Sequence, residues 1–280
     1  MIRYQTPEHR SQQLAEMQRC IEQVQKGELG VDGLVAKLTR TNRCEITLDK
    51  FITVNPQMIA LKTKVNTIRH GTSNHYAVLI TGPSGTGKEL LAHALNKDGA
   101  PFVSRNCAGI PKELISSIFF GHLKGSFTGA DSDRKGVLVA AEDGIVFLDE
   151  IADLPLELQA ALLRALQERV ITRLGSTEEI PIHCRFIAAT KFNLRQMVHE
   201  GKFREDLFAR LFDFELATTS LKARPEDIPV IAKSGLSKDG VVMNWDKPIP
   251  EWAMNDIYNY NVRGIQKFVT NIRLFGEEVL

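Results

Sequence analysis

The stretch Tyr76-Ala77-Val78-Leu79-Ile80-Thr81-Gly82-Pro83-Ser84-Gly85-Thr86-Gly87-Lys88-Glu89-Leu90-Leu91-Ala92-His93-Ala94-Leu95 decides the fold. Six strand-forming residues run into a glycine-rich loop, and a good helix sequence follows. Strand, glycine loop and helix are the context of a phosphate-binding P-loop. Glycines at 82, 85 and 87 let consecutive backbone N–H groups turn inward around phosphate oxygens. The helix that follows points its positive end at the same anion. Gly82, Pro83, Ser84, Gly85, Thr86, Gly87, Lys88 and Glu89 are thus the candidate nucleotide-binding residues, with Lys88 reaching the outer phosphates. Glu89 stands where the common pattern has Ser or Thr. It offers no hydroxyl to magnesium, so water, phosphate and another carboxylate must hold the metal.

That carboxylate is found downstream. Gly144-Ile145-Val146-Phe147-Leu148-Asp149-Glu150 is an apolar strand closed by two acids, the Walker-B pattern. Asp149 is the expected magnesium ligand, and Glu150 the residue that orients and polarises the attacking water. Two acids at a strand end can equally be a solvated turn. Beside a P-loop the catalytic reading takes precedence.

A chain of 280 residues, 43% of them hydrophobic, can bury a real core in one large domain or two smaller ones. A net charge of +1 gives no overall field toward nucleic acid or membrane. No apolar run is long enough for a membrane span, and the N-terminus lacks a signal-peptide core. Cys20, Cys44, Cys107 and Cys184 are scattered without metal-ligand spacing and read as reduced thiols, which places the chain in the cytoplasm.

Residues 1–50 read as a separate helical segment. Leu14, Met17, Ile21 and Val24 form an apolar stripe, Gly27 and Gly30 end it, and Leu34, Val35 and Leu38 suggest a second helix. Packing on its own domain is the simpler reading of the stripe, and control of assembly the functional one. Residues 51–223 read as the α/β nucleotide-binding domain. Asn55 caps and Pro56 opens a helix whose buried stripe is Met58, Leu61, Val65 and Ile68. Strands at Ala77–Ile80, Phe102–Ser104, Val146–Leu148 and Phe186–Ala189 alternate with helices, including one over Glu157–Arg169. A parallel sheet covered by helices on both faces is therefore expected. Arg224-Pro225 marks a boundary, and residues 224–280 read as a small helical domain, with helices over Glu251–Tyr258 and Gly264–Leu274.

These residues resemble the AAA+ ATPase domain of sigma-54-dependent bacterial transcription activators, over roughly residues 51–275. A P-loop ending in Lys-Glu marks that family. Gly121-His122-Leu123-Lys124-Gly125-Ser126-Phe127-Thr128-Gly129-Ala130 is similar to its signature loop, with Ser126 in place of Ala. The resemblance implies that Gly125, Ser126, Phe127, Thr128, Gly129 and Ala130 form a mobile tip that presents Phe127 and Thr128 to sigma-54. It implies that Asn106 hydrogen-bonds the catalytic Glu150. It also implies that Arg204 and Arg210, in Phe203-Arg204-Glu205-Asp206-Leu207-Phe208-Ala209-Arg210-Leu211, reach a neighbouring subunit's γ-phosphate. Without the resemblance these arginines read as exposed helix residues paired with Glu205 or Asp206. Asn261-Val262-Arg263 resembles the sensor-II motif, which brings Arg263 to the nucleotide from the helical lid. Thr190 matches the sensor-I strand end, and Val170–Pro181 occupies the place of a second pore loop.

Several positions depart from the family pattern. Ile118 and Leu123 replace acids that flank the signature loop, and Lys191 replaces the sensor-I Asn. Asn259-Tyr260 replaces Pro-Gly before the sensor-II motif. No receiver domain precedes and no helix-turn-helix follows in this sequence, which argues against enhancer binding by the chain itself and leaves room for a DNA-binding partner. The resemblance implies an ATP- and Mg2+-dependent ATPase that assembles as a ring, a hexamer on the family pattern, and acts on sigma-54 RNA polymerase. The alternative is a nucleotide-binding adaptor of weak turnover that docks another protein through the same loop.

Overall fold

The computed structural model describes residues 48–71, 73–96, 100–109, 112–237 and 249–275. The helices and stripe expected before Leu48, with Cys20 and Cys44, lie outside the described residues. The strands are β1 (Val78–Thr81), β2 (Phe102–Asn106), β3 (Gly121–His122), β4 (Arg134–Lys135), β5 (Ile145–Asp149), β6 (Val170–Thr172), β7 (Glu179–Pro181), β8 (Arg185–Thr190) and β9 (Phe214–Ala217). The helices are α1 (Pro56–Gly71), α2 (Lys88–Ala94), α3 (Lys112–Phe120), α4 (Val137–Ala140), α5 (Leu156–Glu168), α6 (Leu194–His199), α7 (Glu205–Leu211), α8 (Asp227–Ser237), α9 (Glu251–Tyr260) and α10 (Val262–Phe275).

Five strands form one sheet in the order β2-β5-β8-β1-β9, with every pair parallel. The expected four are there, and β9 is a fifth at the edge. Side chains alternate between the two faces of a strand, and here the alternation separates two cores. Leu79, Val146, Leu148, Phe186 and Ala188 enter one cluster, with α5 and α7 supplying Leu158, Leu162, Leu166, Leu207 and Leu211. Val78, Ile80, Ile145, Phe147, Ile187 and Ala189 enter the other, covered by α1 and α2. Leu48 and Phe51 pack into this second cluster.

The helices form where their caps and stripes direct. Asn55 accepts at Oδ1 from the N–H of Gln57 (3.0 Å) and Met58 (3.2 Å), closing the open start of α1. Met58, Leu61, Val65 and Ile68 are all buried. Each such aliphatic contributes about 1.5–3 kcal/mol when fully covered, so the stripe fixes α1 against the sheet. Asn193 caps α6 in the same manner.

A third cluster holds Leu221, Ile228, Ala232, Ala253, Ile257, Ile265, Phe268, Val269 and Ile272. These residues bring α8, α9 and α10 together as a small helical layer. Its core begins at Leu221, just ahead of Arg224-Pro225. Two antiparallel ribbons, β3 with β4 and β6 with β7, stand apart from the main sheet. Among the described residues no helix is long and apolar enough to cross a membrane.

Candidate functional site

Register sets the site. Thr81 lies opposite Thr190, and Asn106 opposite Asp149. The carboxyl ends of four neighbouring strands therefore come level, and the glycine loop leaves β1 at that edge. Ligands of open parallel sheets bind there. Gly82, Gly85 and Gly87 all take positive φ. At Gly85 a β-carbon would overlap the carbonyl oxygen of Tyr260 at the end of α9. The absent side chain thus lets the helical layer approach the loop backbone.

Inside the loop, Lys88 is buried, and its Nζ donates to the carbonyl oxygens of Gly82 (2.9 Å) and Pro83 (3.1 Å). Burial pushes its ammonium below the usual lysine range, against the pull of Glu150 and then Asp149. The hydroxyl of Thr86 donates to Pro83 O at 2.8 Å and lies 2.7 Å from that of Thr218. Thr218 in turn donates to Thr81 O, so the loop is closed internally. Pro83, Ser84 and Glu89 are exposed.

Across the edge, Asp149 accepts at Oδ1 from the N–H of Glu150 at 3.0 Å. Glu150 sits in a left-handed backbone conformation (φ 51, ψ 50) that turns the chain immediately after the strand. Its Oε1 lies 3.7 Å from Lys191 Nζ, and its Oε2 is buried with no hydrogen-bond partner. Thr190 is buried, and its hydroxyl accepts from Phe192 N at 3.0 Å. Asn106 reaches the same edge, but its amide oxygen accepts from Ala108 N at 2.9 Å. No hydrogen bond joins it to Glu150 among the described residues, so here the structure departs from the expected pairing. The β2 end turns directly into the short turn Cys107–Gly109, and Asn106 closes that turn.

The helical layer clamps the loop through consecutive residues. Asn261 Nδ2 donates to Ser84 O at 3.0 Å, Val262 N to Gly85 O at 3.0 Å, and Arg263 Nη1 to Ser84 Oγ at 3.2 Å. Arg263 thus stands at the glycine loop. The role of Asn261 was not evident from sequence.

The signature loop is closed at its base. Gly125 N donates to Ala130 O at 2.8 Å, and Ala130 N to Phe127 O at 3.0 Å. Gly129 and Thr128 are exposed. Phe127 is half-buried, its ring edge-on to His122 at 5.0 Å between centroids. The expected outward presentation of Phe127 is therefore not seen. The imidazole at the loop's base, itself hydrogen-bonded to Ser117 at 2.7 Å, gives the ring an edge-on aromatic partner. Ser126 meets Gly175 of the β6–β7 ribbon, where a β-carbon on Gly175 would come within 2.8 Å of Ser126 Cβ. Ile118, where the family pattern has an acid, packs against the first core cluster.

Arg204 caps the start of α7, and its guanidinium forks onto Asp206 at 3.0 and 2.6 Å. This is the pairing the sequence alone suggested. Arg210 is half-buried, with Nε lacking a hydrogen-bond partner. The two arginines lie on one short helix, apart from the loop of their own chain in every hydrogen bond described.

A further cluster was not expected. Asp227 is fully buried and accepts from Thr53 Oγ1 (2.7 Å), Val54 N (2.6 Å), Asn55 N (3.1 Å) and Arg224 Nη1 (2.7 Å). Arg224 lies 5.8 Å from the centre of the Phe51 ring, which lies against Gly87. Segment 51–55, the glycine loop and the start of the helical layer are therefore tied together.

Chemically, the site offers a positive, backbone-lined loop facing a pair of carboxylates. The loop cradle and Lys88 suit a polyphosphate. Asp149 keeps one oxygen that accepts no hydrogen bond among the described residues, which suits a hard divalent cation shared with phosphate and water.

The sigma-54 interaction domain family matches residues 52–217. The chain is 46% identical over 200 residues to the DNA-binding transcriptional activator HyfR of Escherichia coli, covering 70% of this chain and 30% of HyfR. It is 50% identical over 216 residues to the DNA-binding transcriptional regulator NtrC of Salmonella typhimurium, covering 73% of this chain and 46% of NtrC. The chain thus spans less than half the length of these relatives. The crystal structure of NtrX from Brucella abortus in complex with ATP superposes with a TM-score of 0.71 at 29% identity, covering 86% of this chain and 53% of that one. The fold is the AAA+ fold that the family resemblance implies, a parallel sheet covered by helices.

Proposed function

The chain belongs to the sigma-54 interaction domain family, and from that premise we propose that it is a cytoplasmic, ATP-hydrolysing AAA+ remodeller that drives sigma-54 RNA polymerase toward the open complex. The observation that carries this is the facing of Lys88 and its glycine loop with Asp149 and Glu150 across one sheet edge.

Gly82 to Glu89 would hold the phosphates of ATP, with Lys88 leaving its loop carbonyls to meet them. Asp149 would hold Mg2+, which when bound neutralises phosphate charge. Glu150 would orient water for in-line attack. Thr190 supports the strand end, and Asn106 and Arg263 couple nucleotide state to shape. Arg204 and Arg210 would serve the neighbouring protomer of a ring, a hexamer on the family pattern. Supplying positive charge in trans would make hydrolysis depend on assembly. Residues 125–130 would engage sigma-54, with Phe127 leaving His122 to do so. A DNA-binding partner would supply contact with DNA.

Steady-state ATPase at rising protein concentration tests the enzymatic half. The specific rate should climb with assembly, fall by roughly 10²–10⁴ in Glu150→Gln, and fall likewise at the highest concentrations in Arg210→Ala. Capture of sigma-54 in the presence of a transition-state analogue of ATP tests the other half. A concentration-independent or absent ATPase, or no capture of sigma-54, would overturn the corresponding half.

A further inference from the structure

We propose that Lys191 is a positioning residue for Glu150, restraining the water-orienting carboxylate by charge and so setting the basal rate of hydrolysis. The inference rests on the ATPase reading above and adds to it a residue that the reading leaves without a role. Lys191 follows Thr190 at the end of β8, and its Nζ is 3.7 Å from Glu150 Oε1. Its Nζ also lies over the Phe192 ring, 5.0 Å from the ring centre. The other groups at the edge are engaged elsewhere. Lys88 Nζ is held by the carbonyls of Gly82 and Pro83, and the Asn106 amide oxygen by Ala108 N.

The two ends of the pair are unequal. The Glu150 side chain is only 14% exposed, with one oxygen buried and unpartnered. Its backbone is already fixed at the turn after β5. Lys191 is 43% exposed on a flexible stem. The carboxylate is thus the fixed partner and the ammonium the movable one. An ammonium drawing on a carboxylate oxygen leaves that oxygen less able to attract a water proton. A neutral amide at position 191 would not withdraw charge in this way. Because the lysine is solvated, the pair is of the weak, screened kind. It therefore sets the fraction of time for which Glu150 is free and does not lock it.

Two measurements on the full chain test this. In nucleotide-free protein, Lys191→Met should lower Tm by about 1–3 °C more when Glu150 is present than in Glu150→Gln. Methionine removes the contact of Nζ with the Phe192 ring in both backgrounds, so the difference between them reports the pairing with Glu150. With saturating Mg-ATP, Lys191→Met should raise kcat about twofold to fivefold with KM unchanged. Lys191→Arg should restore wild-type values in both assays. Equal Tm shifts in the two backgrounds, an unchanged or lower kcat, or a change confined to KM would each overturn the proposal. A coupled pair in a chain that hydrolyses no ATP would support the placement and overturn the ATPase reading instead.

Discussion

Asn261 binds both sides of the joint between the helical layer and the P-loop. Its Nδ2 donates to Ser84 O at 3.0 Å, and its Oδ1 accepts from Leu221 N at 2.7 Å. It does so from a positive-φ backbone (φ 55, ψ -131) that an L residue adopts only under strain. Asn261→Ala keeps the strain and leaves buried backbone groups unpaired, so it should cost about 1–3 kcal/mol. Asn261→Gly relieves the strain and should cost less. Urea denaturation of both variants checks the order, and a Gly variant no more stable than the Ala variant would refute it.

Asp227 should dominate the acid limb of the stability curve. Burial acts to raise its pKa, yet the hydrogen bonds from Thr53, Val54 and Arg224 outweigh burial and hold the carboxyl below its ordinary range. The folded state then binds the proton less readily than the unfolded chain. The stabilisation is fully present above about pH 4 and is lost as pH falls through the lower folded-state value. Asp227→Asn should flatten that decline. Asp227→Ala leaves Arg224 buried without its partner and should cost roughly 3–5 kcal/mol at neutral pH. Thermal melts between pH 3 and 7 read both effects.

The signature loop should be sensitive to a residue outside it. Gly175 has φ +79 and sits against Ser126. Gly175→Ala is strained by its backbone and by the 2.8 Å approach to Ser126 Cβ, at a cost of about 1 kcal/mol. Among the described residues no hydrogen bond or ion pair joins Gly175 or Ser126 to the nucleotide edge, so ATPase should hold while capture of sigma-54 weakens by about tenfold, equivalent to 1.4 kcal/mol. Unaltered capture would separate the two loops functionally.

The core thiols should be inert. Burial, then the negative charge of Asp149, pushes Cys107 up to about 12, and burial pushes Cys184 up to about 11. The thiolate is the reactive form. Alkylation at pH 8.5, followed at each site by mass spectrometry, should be roughly a hundredfold or more slower in folded protein than in urea. Because the folded pKa is raised, the related stabilisation is intact below about pH 9 and is lost as pH rises toward 12.

Much of this architecture is written in local pattern. The glycine loop between an apolar run and a helix, and the two acids ending a second run, each declare themselves within a few residues. So does α1, whose cap and stripe lie within one window. What escaped reading depends on distance along the chain. Strand β9 is a four-residue edge strand interrupted by Glu215, too short for alternation to register. Thr218 reaches Thr86 across 132 positions, and Asn261 reaches Ser84 across 177. Nothing near Thr218 signals its partner, and the motif at Asn261-Val262-Arg263 points to Arg263 rather than to Asn261. Phe127 is hard to read for another reason: flanking glycines indicate a mobile tip, but not which face the ring takes when His122 lies at its base.

The level ends of β1, β2, β5 and β8 carry a consequence for how such a chain can vary. Inserting or deleting a single residue within one of these strands would shift its terminal group by about 3.3 Å and exchange its inward and outward faces. Length changes should therefore be tolerated in the ribbons and surface turns and rejected in these four strands. The constraint on evolutionary drift is one of spacing as much as of chemistry.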